Sequence, residues 1–140
     1  MSLDLDALQG TWRVVALEVE GTRVPPDSFR GARVVVDGDR FESLGMGVPY
    51  GGTLLLGEEG QPRELELRFH HGPHAGLSSF GIHDLSHDVW LLCLGLVGRP
   101  RPRRFATVSG SGHALQVLQR IPRLLEEMDA VGRAATLPAT

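Results

Sequence analysis

Residues 63–69 alternate without a break: Leu65, Leu67 and Phe69 on one side, Glu64, Glu66 and Arg68 on the other. A period of two marks a strand with one buried face and one wet face. Residues 11–20 predict a longer strand, with Trp12, Val14, Ala16 and Glu18 on one face and Arg13, Val15, Leu17 and Val19 on the other. Residues 32–36 and 40–44 predict a pair joined at Asp37-Gly38-Asp39, which suits a tight hairpin. Further strands are predicted over residues 52–56, 77–85, 89–96, 104–108 and 114–120. The segment 89–96 is apolar on both faces, so cover is expected on both sides. Residues 4–8 read as one short helical turn.

About nine short strands at roughly 8–12-residue spacing predict an antiparallel up-and-down meander, hence a sandwich or barrel. Closure into a barrel removes the unpaired edges that so long a meander would otherwise leave. Gly10 and Trp12 open the first long strand, and Arg120 closes the last. Glycine lets the chain turn tightly beneath a large ring, and a guanidinium can stack on that ring while donating to nearby carbonyls. Gly10, Trp12 and Arg120 are therefore the expected closure of the barrel base. After Arg120 the period changes. Leu124, Leu125, Met128 and Val131 share one helical face after Pro122, opposite Glu126, Glu127 and Asp129. The expected organisation is a barrel over residues 1–121, with a C-terminal amphipathic helix and tail over residues 122–140 packed on its outside.

Composition narrows the function classes. The chain has 140 residues, 41% hydrophobic, which is one domain with a core of its own. Net charge is −3, so no electrostatic footprint for nucleic acid is present. A single cysteine, Cys93, excludes an internal disulfide and favours a reducing compartment. No apolar run approaches the length of a membrane-spanning helix, and the acidic first residues do not read as a signal peptide. Cytoplasm is the expected location, with a leader missing from this sequence as the alternative.

Candidate chemistry is sparse. His70, His71 and His74 lie within five residues, and imidazoles suit several metals or haem iron. Adjacent residues on an extended segment point to opposite sides, however, which favours a solvated loop. His83 falls on the predicted strand 77–85 and becomes a polar anchor if it faces inward. Cys93, set among leucines, reads as a buried and inert thiol. Arg99, Arg101, Arg103 and Arg104, interleaved with Pro100 and Pro102, read as a stiff basic rim. No acid, base and nucleophile converge, so an enzyme ranks last and no cofactor is expected.

The ordered residues also carry a resemblance. Leu8-Gln9-Gly10-Thr11-Trp12-Arg13-Val14-Val15, Gly38-Asp39-Arg40-Phe41, the stretch from Gly81-Ile82 through Leu92-Cys93-Leu94, Arg99-Pro100 with Pro102, and Gly110-Ser111-Gly112-His113 followed by Leu115, Val117, Leu118 and Arg120 resemble the lipocalin/calycin superfamily. The closer likeness is to a bacterial family of small lipocalin-like domains without assigned function. The resemblance implies a lipocalin-like barrel and a small apolar or amphipathic ligand inside it. Val14, Leu65, Leu67, Phe69, Phe80 and Trp90 are the expected lining, with His83 as anchor. A solid-cored interaction domain, with a second copy of the chain among its partners, is the second reading. A haem- or metal-binding barrel using the histidines is the third.

Overall fold

The computed structural model describes residues 3–58 and 60–122. The period-two segments form strands β1 (Gly10–Val19), β2 (Thr22–Arg23), β3 (Arg33–Asp37), β4 (Arg40–Leu44), β5 (Tyr50–Leu56), β6 (Arg63–His71), β7 (Ser78–Ser86), β8 (Val89–Gly95) and β9 (His113–Arg120). From β3 to β9 each strand pairs with the next, and β1 pairs with both β3 and β9. Eight antiparallel strands therefore close into a barrel. The two-residue β2 is an extra strand beside the far end of β1, with Glu18 opposite Arg23. Among the described residues, helix is confined to α1 (Leu3–Ala7) and a 3-10 turn at Pro26–Phe29. Among the described residues no helix is long and apolar enough to cross a membrane. The amphipathic helix expected after Pro122 lies outside the described residues.

One end of the barrel, the base, closes where the sequence placed it. Arg120 lies opposite Trp12 in the β1–β9 ladder, and its guanidinium carbon sits 4.3 Å from the indole centroid. The same guanidinium donates to the Ala7 and Gln9 carbonyls and to the Asp88 carboxylate. Gly10 runs at φ +115°, a left-handed conformation suited to glycine, and a Cβ there would lie 3.4 Å from the guanidinium. Gln9 clamps the neighbouring hairpin by donating to and accepting from the Gly38 backbone. The Trp12 indole donates to the Leu8 carbonyl at 2.9 Å, which ties the ring to the end of α1.

Two departures from the sequence reading matter for the interior. Simple alternation along β1 predicts that Leu17 shares a face with Arg13. Instead a β-bulge between Val14 and Ala16 leaves Val15 and Ala16 both exposed and turns Leu17 inward behind Val14. An extra residue on one strand shifts the facing of everything after it.

The second departure is residues 104–108, which do not form a strand. In a closed barrel β8 and β9 pair directly with each other, and their other edges are taken by β7 and β1. No ladder position remains, and Pro100 and Pro102 lack donors in any case. Residues 96–112 cross the outer wall as a strap. Arg101 pairs with Glu64 on β6 at 2.7 Å and sits 5.4 Å from the Phe80 ring centroid on β7. Further along, the Cys93 thiol donates to the Ala106 carbonyl, and Thr107 donates to Glu18 on β1 while accepting from the Gly21 amide. Pro102 is buried in this contact, and Ile82 and Cys93, which face outward, are sealed. The expected outer cover over β8 is thus real at Cys93, although Val89 at the other end of the strand stays exposed. Half of the basic rim is pinned, Arg101 by Glu64 and Arg99 by the Gly110 carbonyl, while Arg103 and Arg104 are exposed.

Candidate ligand site in the barrel interior

Strand register decides which side chains enter the barrel. On β6, Leu65, Leu67 and Phe69 point inward and are buried, as their alternation requires. Leu65 lies opposite Gly81 and Leu67 opposite Ser79, while the outward Glu66 lies opposite Phe80. Phe80 is therefore on the outer wall, exposed beneath Arg101, and does not line the interior. Phe80 and His83 are three positions apart on one strand, so they cannot share a face. His83 is the inward one. It is buried, and its Nδ1 accepts from the Trp90 indole N–H at 3.0 Å. That bond requires a lone pair on Nδ1, which makes the ring a neutral imidazole with its proton on Nε2.

The inward residues fall into two sets. Near the base, Leu8, Trp12, Val36, Leu65, Trp90 and Leu118 are 0–2% exposed. Trp12 and Trp90 pack at 5.4 Å between centroids, with planes tilted by 59°. Side chains bury one another almost completely in this half. Toward the other end, the mouth, Leu17, Leu67, Phe69, Leu94 and Gln116 keep 7–9% exposure. Phe69 is met edge-on by Phe41 and Tyr50, and Val24, Met46 and Val97 close over the core from the connecting segments.

One inward row links the two halves: His83, Leu92, Gln116 and Leu17 are successive partners across β7, β8, β9 and β1. Gln116 sits between two leucines, and its amide makes no hydrogen bond to a described residue. Neither amide atom is sealed from solvent, so the group is not an orphan in a dry core. Ser43, inward on β4, is in the same position: 5% exposed, without a protein partner, and not sealed. Ser79 differs, because its hydroxyl donates to the Gly95 carbonyl.

Of the lining expected from sequence, Val14, Leu65, Leu67, Phe69, His83 and Trp90 are interior, with Leu65 and Trp90 in the filled half. Sequence reading missed Gln116 and Ser43. Both sit on period-two inward positions, and a polar residue there was the available signal. It was lost among the many polar residues of outward faces.

The histidine segment separates rather than converges. His70 Nε2 lies 2.7 Å from the Thr53 hydroxyl, His71 Nε2 lies 3.2 Å from the Glu42 carboxylate, and the exposed His74 packs beside Phe69. Among the described residues no group of three metal-ligand side chains assembles. His113 Nε2 meets the Pro100 carbonyl at 3.0 Å and helps fix the strap. Cys93 is fully buried, and burial pushes its thiol above the ordinary range, which keeps it protonated and unreactive.

Neither comparison with protein-family models nor comparison with curated proteins finds a match to this chain.

Proposed function

We propose that the protein is a lipocalin-like binding domain that holds a small apolar or amphipathic ligand in the mouth half of its barrel. The reading is carried by the contrast in the interior: a base sealed to 0–2% exposure against a mouth at 7–9%, with two inward polar side chains lacking protein partners. A barrel that served only as a solid scaffold would gain by burying its inward residues as completely at that end as at the other. The ligand surface on this reading comprises Leu17, Leu67, Phe69, Leu94 and Gln116, while Trp12, Trp90 and Leu118 form the floor. The ligand replaces water against apolar walls and gains about 25 cal/mol per Å² of apolar surface buried.

The test is native mass spectrometry of protein purified without refolding, together with an Ala114→Trp variant. Ala114 is buried on the inward face at the mouth end of β9, so an indole there occupies the ligand's place. A retained small molecule that Ala114→Trp abolishes, with the barrel still folded by circular dichroism, supports the reading. An unliganded protein that also takes up no apolar probe overturns it in favour of a solid-cored interaction domain. The specific feature favouring that second reading is the strap, which presents Arg103, Arg104 and Val108 to solvent.

A further inference from the structure

We infer that the ligand carries an uncharged head group that both donates and accepts hydrogen bonds, and that the Gln116 amide recognises it. This inference rests on the ligand-binding reading and adds the chemical class. Gln116 is nine-tenths buried, points into the barrel between Leu17 and Leu92, and has no protein partner for either its carbonyl or its NH₂. An inward amide that no protein group satisfies can pair with a complementary ligand group, and it discriminates against ligands that lack one. An amide offers donors and an acceptor side by side, so its best complement is another amide or a hydroxyl.

Charge in the interior points the same way. The buried polar side chains among the described residues are Ser43, Ser79, His83, Thr107 and Gln116, all uncharged, and Thr107 belongs to the strap outside. The Nδ1 of His83 is already engaged by the Trp90 indole. A carboxylate or an ammonium drawn into this space would lose its water without gaining a counter-charge. A neutral head loses far less and finds Gln116, with the Ser43 hydroxyl as a second unpaired group in the same half. The apolar remainder of the ligand then lies against Leu67, Phe69 and Leu94.

The experiment is isothermal titration of the full chain, near neutral pH, with five probes sharing one tail: decanol, decanamide, decanoate, decylammonium and chlorodecane. Decanol and decanamide are expected to bind at least about tenfold more tightly than either ion. Gln116→Met, close in volume but without the amide, should cost the two neutral probes about tenfold and bring chlorodecane level with decanol. Failure of all decyl probes to bind overturns the ligand-binding reading and this inference together. Binding in which decanoate or decylammonium equals the neutral probes, or in which folded Gln116→Met keeps its preference for decanol over chlorodecane, overturns this inference alone. The head-group series on the unaltered protein decides the question even if the variant does not fold.

Discussion

The two halves of this barrel interior are made by the same strands, yet they differ in how they end. At the base, α1, Gln9 and Arg120 close over Trp12 with hydrogen bonds to named carbonyls, and the two indoles leave no space between them. At the mouth, side chains of connecting segments, Val24, Phe29, Met46 and Val97, pack against the core, and their segments are tied by backbone bonds such as Val24 to the Leu17 carbonyl and Ala32 to the Phe29 carbonyl. A long ring with a hydrogen-bonded cap gives a fixed floor. Apolar side chains resting on a rim make a boundary without a side-chain cap of the kind Arg120 supplies. On the proposed reading, the base supplies stability and the mouth supplies binding.

The largest effect should come from the floor. Leu118→Ala is expected to lower unfolding free energy by about 2–5 kcal/mol, since the sealed site cannot collapse around the void. Leu94→Ala at the mouth should cost less, because its surroundings can relax. Urea unfolding of the two variants, with unchanged m-values, measures the gap; equal losses would break the contrast between the halves. Next in size is Arg120→Ala, expected to cost about 1–3 kcal/mol by leaving the Ala7 and Gln9 carbonyls without their donor. Arg120→Lys should recover under half of this, because an ammonium cannot stack on Trp12 and fork between two carbonyls. Full recovery would reduce the closure to simple charge.

At the mouth the sign should reverse. Gln116→Leu is expected to leave stability unchanged or to raise it by up to about 1 kcal/mol, since no protein hydrogen bond is lost. A clear destabilisation would mean that the amide serves the fold rather than a ligand. The smallest effect is on the outer wall. Hydrogen bonds from Arg68, and then from Ser78, hold the Glu66 carboxyl below the ordinary carboxylate value. Its contribution to stability is therefore complete above the unfolded-state value and fades as pH falls through the lowered folded-state value. Glu66→Gln should be slightly less stable than the unaltered protein near neutrality, with the gap closing as pH falls through the acid range in urea unfolding. The interior contrast should be untouched.

Much of the architecture was legible because period two is a local property. The alternation of β6 and the pairing of Trp12 with Arg120 both survive in the folded protein. The interior was legible only in part. Phe80 was assigned inward although its three-residue separation from His83 forbids both facing the same way. The bulge in β1 left no mark in the pattern around Val15 and Ala16. Residues 104–108 look like a strand because alternation cannot reveal that every ladder position is already taken. Gln116 was overlooked because a polar residue on a strand reads as a solvent-facing one until its neighbours are known.

The amino-acid sequence by itself determined the eight strands of the barrel, their antiparallel order and the aromatic closure at the base, because short-range alternation and turn chemistry act between near neighbours. The tertiary structure alone decided which inward positions are sealed, where β1 changes face and where the strap lies. Those outcomes depend on register between strands distant in sequence and on how much space their side chains leave unfilled.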